Sequence, residues 1–316
     1  MQKSKNLEPL LNTVEHANAI DKGRFIPENS LDVIICDPPY FKNKKDKELN
    51  GWETESDYQK WFRIFMTIVS TKLKRTGVFY LIGEIEDLYG LFPIIREFEF
   101  QVSMTYYFSK NKKNYLNKKP KENGKTYKVI ESVVVFTRNF HKEIRKLLKL
   151  KQEQTKIPSR DINTALTGNG NGGGYWSIYT GDNQRSELPT EDHWNKLKAL
   201  FELEIDYNDI NTLFKQYDGT NLWEDIVYEE DKSVPTDKVV VNVNRPVLLF
   251  ERLILMNRKR PEDIMLWDPF CGYGNSTLAC KKFGTKFYAC DFDMKTYFKS
   301  TINTGNSLSV IKPIIP

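Results

Sequence analysis

A carboxylate, two prolines and an aromatic ring stand together at residues 37–40, which read Asp-Pro-Pro-Tyr. They follow 31–36, an apolar run typical of a buried strand. Asp37 can accept a hydrogen bond from an amine, and so can the carbonyl of Pro38, because consecutive prolines stiffen the backbone and add no competing N–H groups. Tyr40 offers a flat ring on which an extruded base can stack. The loop therefore has groups suited to holding the exocyclic amine of a nucleic-acid base while its nitrogen becomes pyramidal and attacks a methyl group.

Two other interpretations of this loop exist, as a structural turn and as the site of a covalent nucleophile. A short Asp-Pro-Pro-Tyr stretch also occurs as a proline-rich turn in which the aspartate is a cap. Cys36 suggests a covalent nucleophile, but attack on cytosine C5 is associated with a Pro-Cys loop, and no proline precedes a cysteine in this chain. Cys36 is therefore interpreted as the last buried residue of the strand.

A second loop with chemical potential is 268–274, which reads Asp-Pro-Phe-Cys-Gly-Tyr-Gly and lies between a predicted strand and a predicted helix. Its glycines let the backbone pass close to a ligand and open a helix N-terminus. The next predicted strand ends at Asp291, whose carboxylate can accept hydrogen bonds from both hydroxyls of a ribose. The third glycine of the dinucleotide fingerprint is missing and no phosphate-binding loop is present. The pattern predicts a nucleoside-cofactor pocket, and the cofactor need not be a dinucleotide.

The periodicity of the chain predicts the elements that position these loops. A capping-box pattern at 56–59 and a helical apolar stripe predict a helix over 57–73. The other elements predicted for the two ends of the chain are strands at 31–36, 77–82, 100–108, 129–137, 239–241, 263–267 and 286–291, and helices at 86–97, 247–257 and 275–283. The alternation of strands and helices favours a parallel α/β sheet. Between them, 139–240 reads as an insertion with its own small core, containing helices at 141–157, after Thr190 and near 207–216.

Composition and charge restrict the class of protein. The 316 residues are 40% apolar, and no stretch approaches the roughly 20 apolar residues of a membrane span, so no membrane association is predicted. The net charge is +5, yet 109–160 holds sixteen Lys/Arg and four Glu, a net of +12 that leaves −7 for the rest. Such a segment indicates a polyanionic partner or a solvated lysine-rich surface.

Cysteine usage and the N-terminus predict the compartment. The four cysteines form no Cys-x-x-Cys pair and the three histidines are scattered, so no metal site is predicted. The cysteines are expected to be reduced and buried. The N-terminal residues contain no apolar signal region, and a cytoplasmic protein is expected.

Together, and in this order along the chain, the two loops resemble those of the β-class amino-methyltransferases of DNA, which use S-adenosylmethionine. In that family the Asp-Pro-Pro-Tyr loop comes first, a target-recognition insertion follows, and the cofactor loop lies near the C-terminus. The resemblance covers about 14–138 and 239–298, and it is closest at 245–254, 268–274 and 287–291.

This resemblance implies a fold and a division of the chain. The fold would be α/β, with a Rossmann-like methyltransferase sheet that is circularly permuted and carries an inserted target-recognition region. Residues 1–138 would form the catalytic half of the methyltransferase domain, 139–240 the target-recognition insertion, and 241–316 the cofactor-binding half.

The same resemblance implies roles for individual residues. The catalytic residues would be Asp37, Pro38, Pro39 and Tyr40. The residues that bind S-adenosylmethionine would be Asn18, Ala19, Ile20, Asp37, Arg245, Pro246, Asp268, Phe270, Gly272, Gly274, Asn275 and Asp291. Within this set, Asp291 would hold the ribose, 17–20 would lie beside the adenine, and the residues on the methionine side would be Asp268, Phe270, Gly272 and Gly274. The chain departs from the family at Asn18, where Asp is usual, and at 241–246, where Val-Asn-Val-Asn-Arg-Pro replaces His-Pro-Thr-Gln-Lys-Pro.

Double-stranded DNA is the expected partner. Its phosphates are expected to meet the lysines of the basic segment, namely Lys110, Lys112, Lys113, Lys118, Lys119 and Lys121. Base readout is expected in 139–240, and arginines suited to guanine are Arg138, Arg160 and Arg185. The segment 41–55, with four lysines, is predicted to be a flap that becomes ordered on DNA.

The expected reaction is methylation of adenine N6, because enzymes for cytosine N4 more often have Ser in place of Asp37. Three alternatives remain open: a cytosine-N4 methyltransferase of DNA, a base methyltransferase of RNA, and a non-catalytic DNA-binding relative. A homodimer and a partner restriction endonuclease are also left open.

Overall fold

The computed structural model describes residues 11–109, 130–138, 140–169, 174–181, 187–212, 214–216, 220–227 and 245–293. Its strands are β1 Thr13–His16, β2 Leu31–Cys36, β3 Leu73–Gly83, β4 Phe100–Ser109, β5 Ile130–Arg138, β6 Leu222–Val227, β7 Met265–Asp268 and β8 Lys286–Asp291. Its α-helices are α1 Ala19–Gly23, α2 Lys44–Asn50, α3 Glu55–Lys72, α4 Ile85–Leu88, α5 Phe92–Glu97, α6 His141–Thr155, α7 Ser159–Thr167, α8 Tyr175–Thr180, α9 Glu191–Phe201, α10 Tyr207–Ile210, α11 Val247–Leu255 and α12 Asn275–Phe283. No described helix combines the length and apolar character needed to cross a membrane.

The strands of the described residues form one mixed sheet in the order β1-β8-β7-β2-β3-β5-β4-β6. The five strands from β1 to β3 in this order pair in parallel. The prediction of a parallel sheet is wrong for β5, which runs antiparallel to β3 with Gly83 opposite Ser132. A strand that is buried on both faces reads as an apolar run in either direction, so its sequence does not reveal its orientation.

Most predicted elements lie within a few residues of their expected positions. The predicted helix over 86–97 is wrong as one element: α4, a 3₁₀ turn at Tyr89–Leu91 and α5 divide it, with proline in the first turn of α5. The predicted cap of α3 is also misplaced, because Thr54 and Asp57 form the capping box. The helix predicted near 207–216 ends at Ile210, and the strand predicted at 239–241 lies outside the described residues. The sequence pattern does not predict β1, α1, α2, α7, α8 or β6.

The chain divides into two compact units, residues 1–137 with 213–316, and residues 138–212. The second unit has its own core, in which Trp176, Trp194 and Phe201 are buried. It is shorter than the insertion predicted over 139–240, because β6 pairs in parallel with β4 in the main sheet. Alternation is weak in Leu-Trp-Glu-Asp-Ile-Val, and β6 could not be recognised as a strand from its pattern. The assignment of 139–240 to target recognition, and the circular permutation, stay predictions.

Asp32 connects the two halves of the sheet that carry the predicted site loops. It lies in β2 and is 1% exposed. One of its oxygens accepts the backbone N–H of Met265, the first residue of β7, at 2.9 Å. The other oxygen contacts the ammonium groups of Lys74 and Lys259 at 2.8 and 2.7 Å. This buried carboxylate therefore fastens β2 to β7 in addition to their backbone pairing.

We expect Asp32→Ala to lower the free energy of unfolding by about 2–4 kcal/mol, because it leaves a buried N–H and two cations without their acceptor. The two lysines are about one-third exposed, so water recovers part of the loss. Chemical denaturation monitored by circular dichroism measures the change. Asp263→Ala, at a half-exposed carboxylate, is the matched control, and equal stability of the two variants would contradict the role of Asp32.

Candidate functional site

The two chemically distinctive loops emerge at the same edge of the sheet. β2 and β7 are parallel neighbours, with Val33 opposite Leu266 and Ile34 opposite Trp267. The loop that begins at Asp37 and the loop that follows Asp268 therefore leave the sheet side by side, although more than two hundred residues separate them in sequence. This carboxyl edge is where open α/β sheets bind ligands.

A cavity of about 370 Å³ opens at this edge, within the range of small-molecule sites. Its wall includes ten of the predicted site residues, Asn18, Ala19, Asp37, Pro38, Pro39, Tyr40, Arg245, Phe270, Gly272 and Asp291. A smaller recess of about 50 Å³ is lined by other members of the set, Asp268 and Asn275, and again by Asp37, Arg245, Phe270 and Gly272. Ile20, Pro246 and Gly274 line neither space; they belong to the elements that hold the wall.

Asp37 is held by a cation and a hydroxyl. Its Oδ2 lies 2.5 Å from Nη1 of Arg245, and its Oδ1 accepts the hydroxyl of Tyr40 at 2.9 Å. Burial raises the pKa of Asp37 to about 6, with Glu131 adding to the rise and Arg245 and Tyr40 opposing it. A carboxyl group with this pKa changes its charge just below neutral pH, which is typical of functional sites.

The hydroxyl of Tyr40 is fixed between Asp37 and the backbone of β3. It lies 2.8 Å from the carbonyl oxygen of Ile82, in addition to its contact with Asp37. The next residue, Gly83, has no side chain to obstruct this approach: a Cβ built there would lie 2.3 Å from the Tyr40 hydroxyl oxygen. The backbone N–H of Tyr40 is bound by Asp46 of α2 at 2.9 Å. Gly83 and Asp46 are thus parts of the site that the sequence analysis missed.

The glycine loop presents its backbone to the cavity. Gly272 and Gly274 have φ values of 53° and 82°, a region that residues with a Cβ rarely adopt. Gly272 donates its N–H to Oδ2 of Asp291 at 2.9 Å, and the N–H of Asp293 reaches Oδ1 at 2.8 Å. These bonds orient the Asp291 carboxylate at the cavity wall.

Asp268 is the most deeply buried carboxyl group of the predicted set, at 3% exposure. Its oxygens accept the N–H of Phe270 at 3.1 Å and the hydroxyl of Ser276 at 2.5 Å. Burial raises the pKa of Asp268 to about 7, and these two hydrogen bonds limit the rise. Its geometry is that of a residue that shapes the glycine loop from inside.

The N-terminal segment approaches the cavity because β1 pairs with β8. Ala17 donates its backbone N–H to the carbonyl of Asp291 at 3.0 Å. Asn18 begins α1 as its N-cap, and its side-chain oxygen accepts the N–H of Ile20 at 2.9 Å. An aspartate would make the same cap, so the departure from the family at this position preserves the local structure.

Aromatic residues and α2 complete the wall. Trp61 of α3 lines the cavity, and its ring lies 5.9 Å from that of Phe270. Trp61 belongs to the apolar stripe that predicts the helix over 57–73, and that stripe gives no signal for a ligand. The residues that α2 and its cap add to the wall are Asn43, Lys45, Asp46, Leu49 and Asn50. Ordering of 41–55 on DNA stays a prediction, and so do the lysines of 110–121, which lie outside the described residues.

The wall fits S-adenosylmethionine. The Asp291 carboxylate, an open glycine backbone and aromatic rings surround one space, and a carboxylate is a group that ribose hydroxyls can bind. The carboxylates of Asp37 and Asp291 suit a ligand that carries a positive sulfonium. No group of three or more His, Cys, Asp or Glu residues in the described part of the chain is arranged to hold a metal ion.

Comparison with known proteins identifies the family. The family model of the N6/N4 methyltransferases, described as DNA methylase, matches residues 31–303. The chain therefore belongs to this family of amino-methyltransferases, whose methyl donor is S-adenosylmethionine. The Type II methyltransferase M.HinfI of Haemophilus influenzae is 29% identical over 112 residues, a segment that spans 31% of this chain and 31% of that protein.

Solved structures of DNA methyltransferases share the fold. TTHA0409 of Thermus thermophilus, provisionally described as a DNA modification methylase, aligns with a TM-score of 0.50 and 13% identity, covering 94% of this chain and 96% of the other. The cytosine-N4-specific PvuII DNA methyltransferase also aligns with a TM-score of 0.50, at 15% identity over 95% of this chain and 87% of the other. At these identities the likeness establishes the α/β methyltransferase fold.

We expect Asp291→Ala to weaken binding of S-adenosylmethionine about 10- to 100-fold, because hydrogen bonds to a charged acceptor contribute about 1.5–3 kcal/mol. Titration calorimetry measures the affinity. S-adenosylhomocysteine and an analogue of it that lacks both ribose hydroxyls separate the ribose contact from loosening of the loop. The substitution should weaken the first ligand and leave the second unchanged, and equal losses for both would refute the ribose contact.

We expect Gly83→Ala to slow methyl transfer about 100-fold, because the new Cβ displaces the Tyr40 hydroxyl and an error of about 1 Å in a site has costs of this size. Steady-state turnover measures the effect. Gly90→Ala is the control, since a Cβ there meets no atom closer than 4.0 Å. In a Tyr40→Phe background the glycine substitution should cost less, and undiminished turnover of the single variant would show that the close approach does not matter.

Proposed function

We propose that this protein methylates the N6 amine of adenine in double-stranded DNA. The observation that carries the proposal is the meeting of Asp37 and Tyr40 with Gly272 and Asp291 around one cavity. The first pair suits a flat base with an amine. The second pair suits a nucleoside cofactor.

The cofactor supplies an electrophilic methyl group on its sulfonium. Asp291 would accept the ribose hydroxyls, since its carboxylate is already oriented by two backbone N–H groups. Asn18 and Ala19 would lie beside the adenine. The residues proposed for the methionine side are Asp268, Phe270, Gly272 and Gly274. Arg245, Pro246 and Asn275 are proposed as further residues of the cofactor site.

The target amine would be held between two acceptors. One is the carboxylate of Asp37, and the other is the carbonyl of Pro38, which is followed by a proline and not by a competing N–H. Acceptors on both N–H groups favour the pyramidal nitrogen and stabilise its developing charge. The amine loses one proton during the transfer. A carboxylate with a pKa of about 6, such as Asp37, can accept that proton near neutral pH. The ring of Tyr40 would stack on the extruded base.

Adenine is the base favoured by the residue at position 37. An aspartate carboxylate is a stronger acceptor than the serine more often found there in enzymes for cytosine N4. The fold itself is common to both chemistries, since the cytosine-N4-specific PvuII enzyme shares it. Cytosine N4 is therefore the second candidate.

The duplex around the extruded base would be bound by parts of the chain outside the cavity. Phosphate contacts are proposed for Lys110, Lys112, Lys113, Lys118, Lys119 and Lys121. Base readout is proposed for the target-recognition region, in which Arg160 lies exposed on α7. Loss of phosphate contacts would lower affinity and reduce its dependence on salt.

The proposal is tested by incubating the protein with labelled S-adenosylmethionine and duplex DNA, followed by mass spectrometry of the nucleosides. N6-methyladenine is the expected product. Asp37→Asn should reduce the rate by about 100- to 1,000-fold, the size of effect seen when one group that stabilises a transition state is removed. Affinity for the cofactor should change little by comparison.

Each alternative has its own outcome in this assay. N4-methylcytosine as the product would replace adenine by the second candidate. Labelling of RNA in preference to DNA would reject the substrate, and DNA binding without methyl transfer would identify a non-catalytic relative. Unchanged turnover in Asp37→Asn would reject the role assigned to that carboxylate.

A further inference from the structure

A second carboxylate stands behind the proposed catalytic one. Glu131 is the second residue of β5 and is 2% exposed. Its neighbour Ser132 lies opposite Gly83 in the register and donates its hydroxyl to the Gly83 carbonyl at 2.8 Å. Glu131 is thus fixed to the same stretch of β3 that holds the Tyr40 hydroxyl. A buried carboxylate is costly unless a cation or donors compensate it.

Arg245 is the cation shared by the two carboxylates. Its Nη1 lies 2.5 Å from Oδ2 of Asp37, and its Nε lies 3.3 Å from Oε2 of Glu131. Its side chain is 8% exposed, and its backbone carbonyl is held by Asn275 at 2.7 Å. Because the Arg245 side chain is buried and its backbone is held in place, its guanidinium stays within reach of both Asp37 and Glu131.

The sharing of Arg245 between the two carboxylates affects the role proposed for Asp37 as an acceptor of the target amine. If the guanidinium were paired with Asp37 alone, it would stay bound to a carboxylate oxygen of Asp37. That carboxylate would then be a weaker hydrogen-bond acceptor for the target amine. Attraction from Glu131 draws the guanidinium the other way. In the described part of the chain, the pKa of Asp37 responds to Arg245, Glu131, Tyr40 and Asp46 of α2. Asp37 in turn adds to the rise that burial causes in the pKa of Asp268 of β7 and of Cys36 of β2.

We propose that Glu131 is a positioning residue for methyl transfer, which holds Arg245 so that the carboxylate of Asp37 stays available to the target amine. The role rests on the function proposed above. Glu131 does not itself line the cavity, and it acts through Arg245.

The direction of the pH dependence distinguishes this role from a structural one. The rate should rise with pH as Asp37 ionises, so its acid limb follows the pKa of Asp37. Glu131→Gln removes a negative charge, so Arg245 interacts with Asp37 alone and lowers its pKa. The acid limb of the pH–rate profile should therefore move about one unit to lower pH. Arg245→Gln removes the cation, and the limb should move to higher pH. A loss of packing alone has no reason to move the two limbs in opposite directions.

The test measures two quantities in the full-length chain. Turnover is recorded from pH 5 to 9 with saturating cofactor, and the pKa of Asp37 is measured by carboxyl-carbon NMR without cofactor. Above the acid limb, Glu131→Gln should lower turnover about tenfold, and Glu131→Asp should recover part of it. The matched control is Glu251→Gln, which removes another mostly buried, ion-paired carboxylate that lies outside the cavity wall.

Opposite shifts for Glu131→Gln and Arg245→Gln, with reduced turnover in the first, would support the proposal. An Asp37 pKa that does not fall in Glu131→Gln would overturn it, and so would a fall with unchanged turnover. Absence of methyl transfer by the wild-type protein would instead reject the proposed function. In that case the NMR shifts would still establish the coupling of Glu131 to Asp37.

Discussion

The parallel pairing of β2 with β7 is the constraint on which the site depends. These strands come from opposite ends of the chain, and their alignment brings the loop after Cys36 beside the loop after Asp268. Asp32 reinforces the pairing through a buried hydrogen bond to β7. A slip by one residue would turn Asp32 to the other face of the sheet and away from the Met265 N–H, so this contact also favours the observed register. The order of the strands in the sheet thus determines which side chains meet at the cavity.

A surplus of negative charge characterises this edge of the sheet. Asp37, Asp268 and Asp291 gather there, and burial raises the pKa of the first two toward neutrality. The positive charge of Arg245 partly balances the negative charge of Asp37, and Arg245 also contacts Glu131. Such a site favours a cationic ligand, since a positive charge relieves the repulsion among the carboxylates. The methyl donor of the family carries that charge on its sulfonium sulfur, the atom to which the transferred methyl group is bound.

Contacts to backbone and side chains give the Asp-Pro-Pro-Tyr loop its shape. Tyr40 is held at its backbone by Asp46 and at its hydroxyl by Asp37 and Ile82. The absence of a side chain at Gly83 makes room for that hydroxyl. Between these contacts, the consecutive prolines restrict the backbone conformations that the loop can adopt. A carboxylate and an aromatic ring are thereby presented together, which separate flexible side chains would achieve at a greater cost in conformational entropy.

The sequence by itself determined the two loops, the ribose-binding carboxylate candidate and most elements that carry them, because these depend on local periodicity and on residues with restricted backbones. It did not determine the direction of β5 or the place of β6, since apolar strands look alike in either orientation. Nor did it reveal Gly83, Asp46, Trp61 or Glu131, whose importance comes from neighbours far away in sequence. Only the tertiary structure decided that one arginine lies between two carboxylates, because that contact joins a loop after β2, a residue of β5 and the residue that precedes the cap of α11.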